Sequence, residues 1–124
     1  MARELRTLIT ALLPPTCGVR LTEVTMEQAS VRRQLTATAP IAVCPCCAIP
    51  SSSVHSRYQR HLTDLPWGTR AVRIQLTTRK LVCRNPRCEC RIFTERLPEL
   101  VAPSARKTHR LIMTLRAIGI ALGG

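Results

Sequence analysis

Aromatic residues are nearly missing from this 124-residue chain, which has one Phe, one Tyr and one Trp. That scarcity excludes a sheet that binds RNA by stacking bases on several rings. It also leaves a core of Leu, Val, Ile and Ala, marginal at this size, to which a metal cross-link would add stability. Carboxylates are few as well: Asp64 is the sole aspartate, beside six glutamates in no pairing pattern. Two-metal phosphoryl transfer needs several converging carboxylates, and neither a nucleotide loop nor a nucleophile motif is present. No apolar run approaches the roughly 18–20 residues of a membrane span. The opening Met1-Ala2-Arg3-Glu4-Leu5-Arg6 is too charged for a secretion signal. The chain therefore reads as cytoplasmic (nucleoid-associated), not bound to a membrane, and not an enzyme.

Positive charge and cysteine are abundant. The net charge is +12, and every basic residue except Lys80 and Lys107 is arginine. Such an excess suits a polyanion, most simply nucleic acid, and arginine prefers bidentate phosphate and guanine contacts. Seven cysteines in a cytoplasmic chain point to metal rather than disulfides, and an odd count fits a disulfide framework poorly.

Cys44 and Cys47 form a C-x-x-C pair, and Cys83 and Cys88 a C-x-x-x-x-C pair, each with a turn-forming proline inside. Two such knuckles supply four thiolates, enough to close a tetrahedron around one structural zinc ion. Cys44/Cys46 or Cys88/Cys90 would be C-x-C pairs, which fit a knuckle less well, so Cys46 and Cys90 are read as non-ligands. Cys17 stands apart and reads as a buried thiol. His55, His61 and His109 are alternative ligands that four thiolates make unnecessary, contacts to phosphate or bases, or idle surface residues.

Leu5, Leu8, Ile9 and Leu12 recur at helical spacing until Pro14-Pro15. Gly18 to Met26 and Val31 to Thr38 read as a hairpin around a polar turn, and 48–53 as a loop. His55 to Thr63 reads as a strand and Asp64 to Thr69 as a turn. Arg70 to Val82 is the clearest strand, Val72, Ile74 and Leu76 alternating with Arg73, Gln75 and Thr77. Arg91 to Thr94 is a short strand and Leu97 to Pro103 a proline-bounded linker. A helix from Ser104 carries Leu111, Leu115, Ile118 and Leu122 on one face.

Arg57, Arg60, Arg70, Arg73, Arg79 and Lys80 fall on one hairpin, where their charges repel unless a polyanion neutralises them. They form the first group expected to contact DNA. Tyr58 and Trp67 can stack on bases, or pack within the fold.

The run Cys44-Pro45-x-Cys47, followed by Val54-His55-Ser56-Arg57-Tyr58-x-Arg60-x-Leu62-x-Asp64-Leu65-Pro66-Trp67-Gly68, resembles the N-terminal zinc-finger region of the ISL-three group of bacterial insertion-sequence transposases. Cys83-x-Asn85-Pro86-x-Cys88, Arg91 to Pro98 and Ala105-Arg106-Lys107-Thr108-x-Arg110-Leu111 continue the likeness. The resemblance implies zinc on Cys44, Cys47, Cys83 and Cys88, with Cys90 in place of a usual basic residue and so an alternative to Cys88. It implies DNA contacts from His55, Arg57, Tyr58 and Arg60, and from Arg106, Lys107 and Arg110. In that group a helix-turn-helix and an Asp-Asp-Glu nuclease core follow, and the front region helps to recognise terminal inverted repeats. The 119–124 stretch resembles the start of the helix-turn-helix, which implies an excised fragment or a truncated copy.

The expected fold is α+β: a mainly β zinc ribbon with a preceding β-hairpin and flanking helices. Residues 1–40 would hold the first helix and hairpin, 41–96 the ribbon, 97–107 a linker, and 108–124 the first helix of a helix-turn-helix. The expected partner is double-stranded DNA at transposon ends, with self-association or association with full-length transposase as a further possibility. A protein-interaction or dimerisation module and an RNA-binding ribbon are the alternatives.

Overall fold

The computed structural model describes residues 18–123. The helix expected before Pro14-Pro15 and the thiol of Cys17, expected to be buried, lie outside the described residues. Among the described residues the architecture is α+β, sheet-rich with one helix near the C-terminus. The N-terminal hairpin is β1 (Val19–Met26) and β2 (Ser30–Ala37). A two-stranded pair, β3 (Ala42–Val43) and β4 (Pro50–Ser51), flanks the first knuckle, and β4 falls inside 48–53, the stretch expected to be loop. The long hairpin is β5 (Val54–Trp67) and β6 (Arg70–Val82), followed by β7 (Ile92–Thr94) and α1 (His109–Ala121). No helix among the described residues is long and apolar enough to cross a membrane.

Strand order in the main sheet is β1-β2-β6-β5, with β7 also pairing with β6. The β2–β6 pairing is parallel, from Ser30↔Ala71 to Thr36↔Thr77. Thus the two strands run in register toward the same end of the molecule. Eight residues beyond Thr36 comes Cys44 (44 − 36) and six beyond Thr77 comes Cys83 (83 − 77). The N-terminal hairpin therefore helps to aim the two knuckles at each other, which the sequence pattern did not disclose.

Alternation on β6 divides the sheet into two faces. Val72, Ile74 and Leu76 are buried together with Val31 and Leu35 of β2 and Leu62 of β5. Leu97, Leu100 and Val101 cover that face, so the stretch expected to be a linker is a lid on the core. Burying three large aliphatic side chains is worth roughly 5 kcal/mol by area, which explains why this proline-bounded stretch does not hang free. Lys107 then pairs with Thr63 at the outer edge of β5. Two backbone bonds fix the contact: Thr63 N–H to Arg106 O, and Thr108 N–H to Thr63 O.

The turn is tighter and later than the sequence suggested. Strand β5 runs through Asp64 to Trp67, leaving Gly68 (φ 61°) and Thr69 to reverse the chain. Extending the strand keeps Asp64 in phase with Leu62, so it points into the protein and is only 2 % exposed. Arg33 is buried in the same way, in phase with Val31 and Leu35 on β2.

These two residues make a buried ion cluster. Asp64 accepts hydrogen bonds from Arg33, from the Arg110 guanidinium (Nε to Oδ1, 2.8 Å) and from Thr108 Oγ1 at 2.6 Å. Thr108 is also the N-cap of α1, accepting from Leu111 N–H at 3.4 Å. One carboxylate thus ties β5 to β2 and to the start of α1. Beyond Leu111 the helix is mostly unburied: Met113, Leu115, Ile118, Ile120 and Leu122 are exposed.

Candidate metal centre and the basic sheet face

Each knuckle is shaped by its own backbone. In the first, Ala48 N–H bonds to Cys44 O at 2.8 Å and Cys44 N–H to Ile49 O at 3.1 Å. In the second, Cys88 N–H bonds to Asn85 O at 3.1 Å, and Cys83 N–H reaches Arg91 O at 2.8 Å. Backbone N–H groups two residues downstream also donate to sulfur: Ile49 to Cys47, Asn85 to Cys83 and Cys90 to Cys88. Such bonds stabilise thiolates and fix where the sulfurs point.

The four sulfurs of Cys44, Cys47, Cys83 and Cys88 lie within 4.8 Å of one another. Cys44 and Cys88 are 3.9 Å apart, and Cys47 and Cys83 3.6 Å. A regular ZnS4 tetrahedron with bonds of about 2.3 Å has sulfur–sulfur edges of about 3.8 Å, so this donor set fits zinc. Cys44 is buried beside Leu81 and Phe93, with the other three packed around them.

The thiol acidities diverge within the cluster. The Ile49 N–H pulls Cys47 down to about 7. Burial pushes Cys88 up to about 12, and its sulfur neighbours add to the rise. Cys83 is also raised: the Asn85 N–H lowers it, but burial and the bonds to Cys47 and Cys44 outweigh that pull. Cys83 and Cys88 therefore resist ionisation until a divalent cation supplies the opposing charge.

Cys46 and Cys90 do not join the four. The structure links them as a disulfide between the two knuckles. This corrects the expectation of metal thiols without disulfides: Cys46 and Cys90 meet each other beside the four-sulfur cluster. Cys88, not Cys90, sits with Cys44, Cys47 and Cys83. Closing the knuckles on one centre carries their neighbours into contact, and no local spacing in the sequence signals that meeting.

Ala48 closes the first knuckle at φ 63°, a left-handed conformation that a β-carbon disfavours. Ala48→Gly is expected to raise stability by roughly 0.5–1 kcal/mol, the left-handed penalty of about 1–2 kcal/mol less the unfolded-chain entropy of glycine, read as a higher urea midpoint in the zinc-loaded protein. A lower midpoint would show that glycine's extra freedom in the unfolded chain dominates.

The basic residues of the hairpin separate into three groups. His55, Arg57, Gln59, His61 and Thr63 alternate along one side of β5, matched by Arg73, Gln75 and Thr77 on β6. Arg32 and Gln34 of β2 continue that face in register with Arg73 and Gln75. Arg32, His61, Thr63, Arg73, Gln75 and Arg106 line a single open groove of about 610 Å³. Arg32 in this groove was not among the residues expected to contact DNA, and His61 was read as a phosphate or base contact only as one alternative. Their strand alternation was the available signal.

A second group is engaged inside the fold, contrary to expectation. Arg79 holds Glu95 through Nη2 at 2.7 Å and also donates to Ala39 O at 2.6 Å. Arg60 donates to the carbonyls of Ala102 (3.1 Å) and Ala105 (2.6 Å), and Arg110 binds Asp64. These guanidiniums answer local carboxylates and carbonyls, because an isolated charge near a covered core would be costly. The third group is dispersed: Lys80 lies over the Tyr58 ring at 5.6 Å, Arg70 sits opposite Trp67 at the turn, and Lys107 is exposed at the β5 edge.

Residues 40–91 match the family described as the zinc-finger of transposase IS204/IS1001/IS1096/IS1165. The matched stretch contains all four clustered cysteines, while β1, β2 and α1 lie outside it. No curated protein and no solved structure matches the chain.

Proposed function

From the premise that residues 40–91 are a zinc finger of the ISL-three transposase group, we propose that this chain binds duplex DNA at transposon ends without cutting it. Cys44, Cys47, Cys83 and Cys88 hold the structural zinc, and the zinc fixes the end of the sheet. The observation that carries the reading is the open groove where Arg32, His61, Arg73 and Arg106 converge on a chain of net charge +12. Arg32 pairs with Glu27 at 3.4 Å, whereas Arg73 and Arg106 are exposed and make no ion pair among the described residues. Unpaired guanidiniums side by side on a polar sheet, as Arg73 and Arg106 are, repel one another and are stabilised by phosphates. His55 and Arg57 extend the same face toward the zinc end. Tyr58 and Lys80 lie elsewhere, and Arg60, Arg79 and Arg110 act by holding the fold. The protein acts in the cytoplasm on nucleoid DNA.

The test is a competition titration at near-physiological salt. The inverted-repeat ends of the protein's own element compete with shuffled duplex of equal length. A preference of roughly tenfold, or about 1.4 kcal/mol, that disappears on chelation is the expected result. Arg73→Ala and Arg106→Ala are each expected to weaken binding and reduce the salt slope by about 1. Wild-type affinity in both variants would remove the groove from the interface. Equal, salt-steep binding to both duplexes would mean phosphate anchoring without recognition.

One observation favours a second reading, a protein-interaction module: the exposed Met113, Leu115, Ile118, Ile120 and Leu122 on and just beyond α1. Self-association at low micromolar concentration without DNA would support it, and a monomer under those conditions would not.

A further inference from the structure

We propose that Cys46 and Cys90 are a peroxide-responsive thiol–disulfide site that staples the two zinc knuckles together independently of the metal. The proposal rests on Cys44, Cys47, Cys83 and Cys88 being the zinc ligands.

The pair spans 44 residues of chain, and its Cα atoms are 6.5 Å apart, within the reach of a disulfide. Cys46 belongs to the first knuckle and Cys90 follows the second, so their bond joins the same two segments that zinc joins. Access singles out Cys46 among the six clustered sulfurs. Cys46 is exposed, Cys90 is half-buried like Cys47, Cys83 and Cys88, and Cys44 at the heart of the cluster is only 1 % exposed. A small oxidant therefore reaches Cys46 first. Cys44 also lies within 4.8 Å of both, but it already belongs to the four-sulfur set. Cys46 and Cys90 are joined to each other, which favours a staple over a second, three-sulfur metal site.

The chemistry balances with hydrogen peroxide as oxidant. The Cys46 sulfur attacks the O–O bond, forming a sulfenic acid and releasing one water. The Cys90 sulfur then attacks the Cys46 sulfur, forming the S–S bond and expelling a second water. Two thiols and one peroxide give one disulfide and two waters. A thiol reductant reverses the step by exchange.

The physical consequence is opposite to that of oxidising the ligands. Ligand oxidation expels zinc, whereas this cross-link keeps the knuckles together when zinc departs and so favours its recapture. It closes a long loop, which restricts the unfolded chain more than a short one would.

The test uses the full zinc-loaded chain, first reduced and then treated with limiting hydrogen peroxide. The expected result is a mass loss of about 2 Da, one S–S bond replacing two S–H bonds. Zinc stays at one per chain, and peptide mapping links position 46 to position 90. Zinc transfer to a chelator is expected to slow by roughly tenfold, because the stapled knuckles cannot separate. In Cys46→Ser, and independently in Cys90→Ser, neither the mass loss nor the slowing should occur, while the reduced variants keep their zinc. Zinc retained with free thiols persisting at 46 and 90 would overturn the staple and leave the ligand set standing. Zinc expelled as oxidation proceeds would overturn it too, because the cluster thiols would be the reactive ones. Zinc missing from either reduced serine variant would overturn the ligand set, and the staple with it.

Discussion

A chelator strips one zinc per chain and unfolds the knuckle end of the sheet: this is the largest effect expected for the protein. The small cluster there has only Cys44, Leu81 and Phe93 fully buried, with the remaining thiols as its outer packing. So little apolar surface cannot hold two knuckles against the entropy of the chain. Metal binding must supply the difference, and structural zinc sites supply apparent free energies of about 10 kcal/mol or more at neutral pH. The larger core, from Val31 and Leu35 to Val72, Ile74 and Leu76, lies further along the strands and contains no ligand. Hydrogen exchange is therefore expected to show lost protection at 42–51 and 83–94 under reducing conditions, with protection partly kept at 31–37 and 72–76. Cys83→Ser should reproduce this pattern and abolish zinc binding, whereas Cys17→Ser should leave one zinc per chain. Unchanged exchange at 83–94 after chelation would refute a structural role for the metal. Loss of zinc in Cys17→Ser would refute the ligand assignment.

The second large effect is expected at Asp64. Arg33 is 3 % exposed and Asp64 is 2 % exposed, so removing the carboxylate strands a guanidinium where water cannot solvate it. Breaking a buried ion pair from one side costs about 3–5 kcal/mol. Arg33 already has a buried Nε without a hydrogen-bond partner among the described residues, and burial lowers its pKa even beside Asp64. Asp64→Ala should lower stability by about 4 kcal/mol in denaturant titration. Because Thr108 and Arg110 also bind Asp64, the start of α1 should loosen first. A loss below about 1 kcal/mol would mean that the cluster adds no net stability, as some buried pairs do.

The same group gives the fold a dependence on acid. Burial by itself pushes the Asp64 carboxyl up, but hydrogen bonds from Arg110, Thr108 and the Leu65 N–H, with the Arg110 charge, hold it at about 2 against an ordinary 3.8. A depressed folded-state pKa means that the unfolded chain takes up the proton first as pH falls. The contribution is therefore complete above about pH 4 and is lost as pH drops through 2, for a total of about 2 kcal/mol. Zinc thiolates are also protonated in acid, so the comparison is between wild type and Asp64→Asn, both without zinc. Parallel stability curves between pH 5 and pH 2 would refute the assignment.

Local chemistry in the sequence determined the two knuckles, the strand leading into Cys83, the cationic character and the likeness to a transposase zinc finger. Each of these depends on residues a few positions apart: a turn with two thiols, an alternation of Val72, Ile74 and Leu76, a sum of charges. Tertiary structure alone decided the rest. The parallel register of β2 against β6 directs both knuckles to one centre, yet it pairs residues about 41 apart (72 − 31), and nothing near either residue encodes it. The same long-range register moved Asp64 from an expected turn into the core and gave it Arg33 and Arg110. It sorted the arginines into a solvent-facing row and a set engaged with Glu95, Asp64 and the carbonyls of the lid. It also brought Cys46 to Cys90. Spacing along a chain fixes which side of a strand a residue occupies; which strand lies opposite is decided by the buried surface that the whole fold must share.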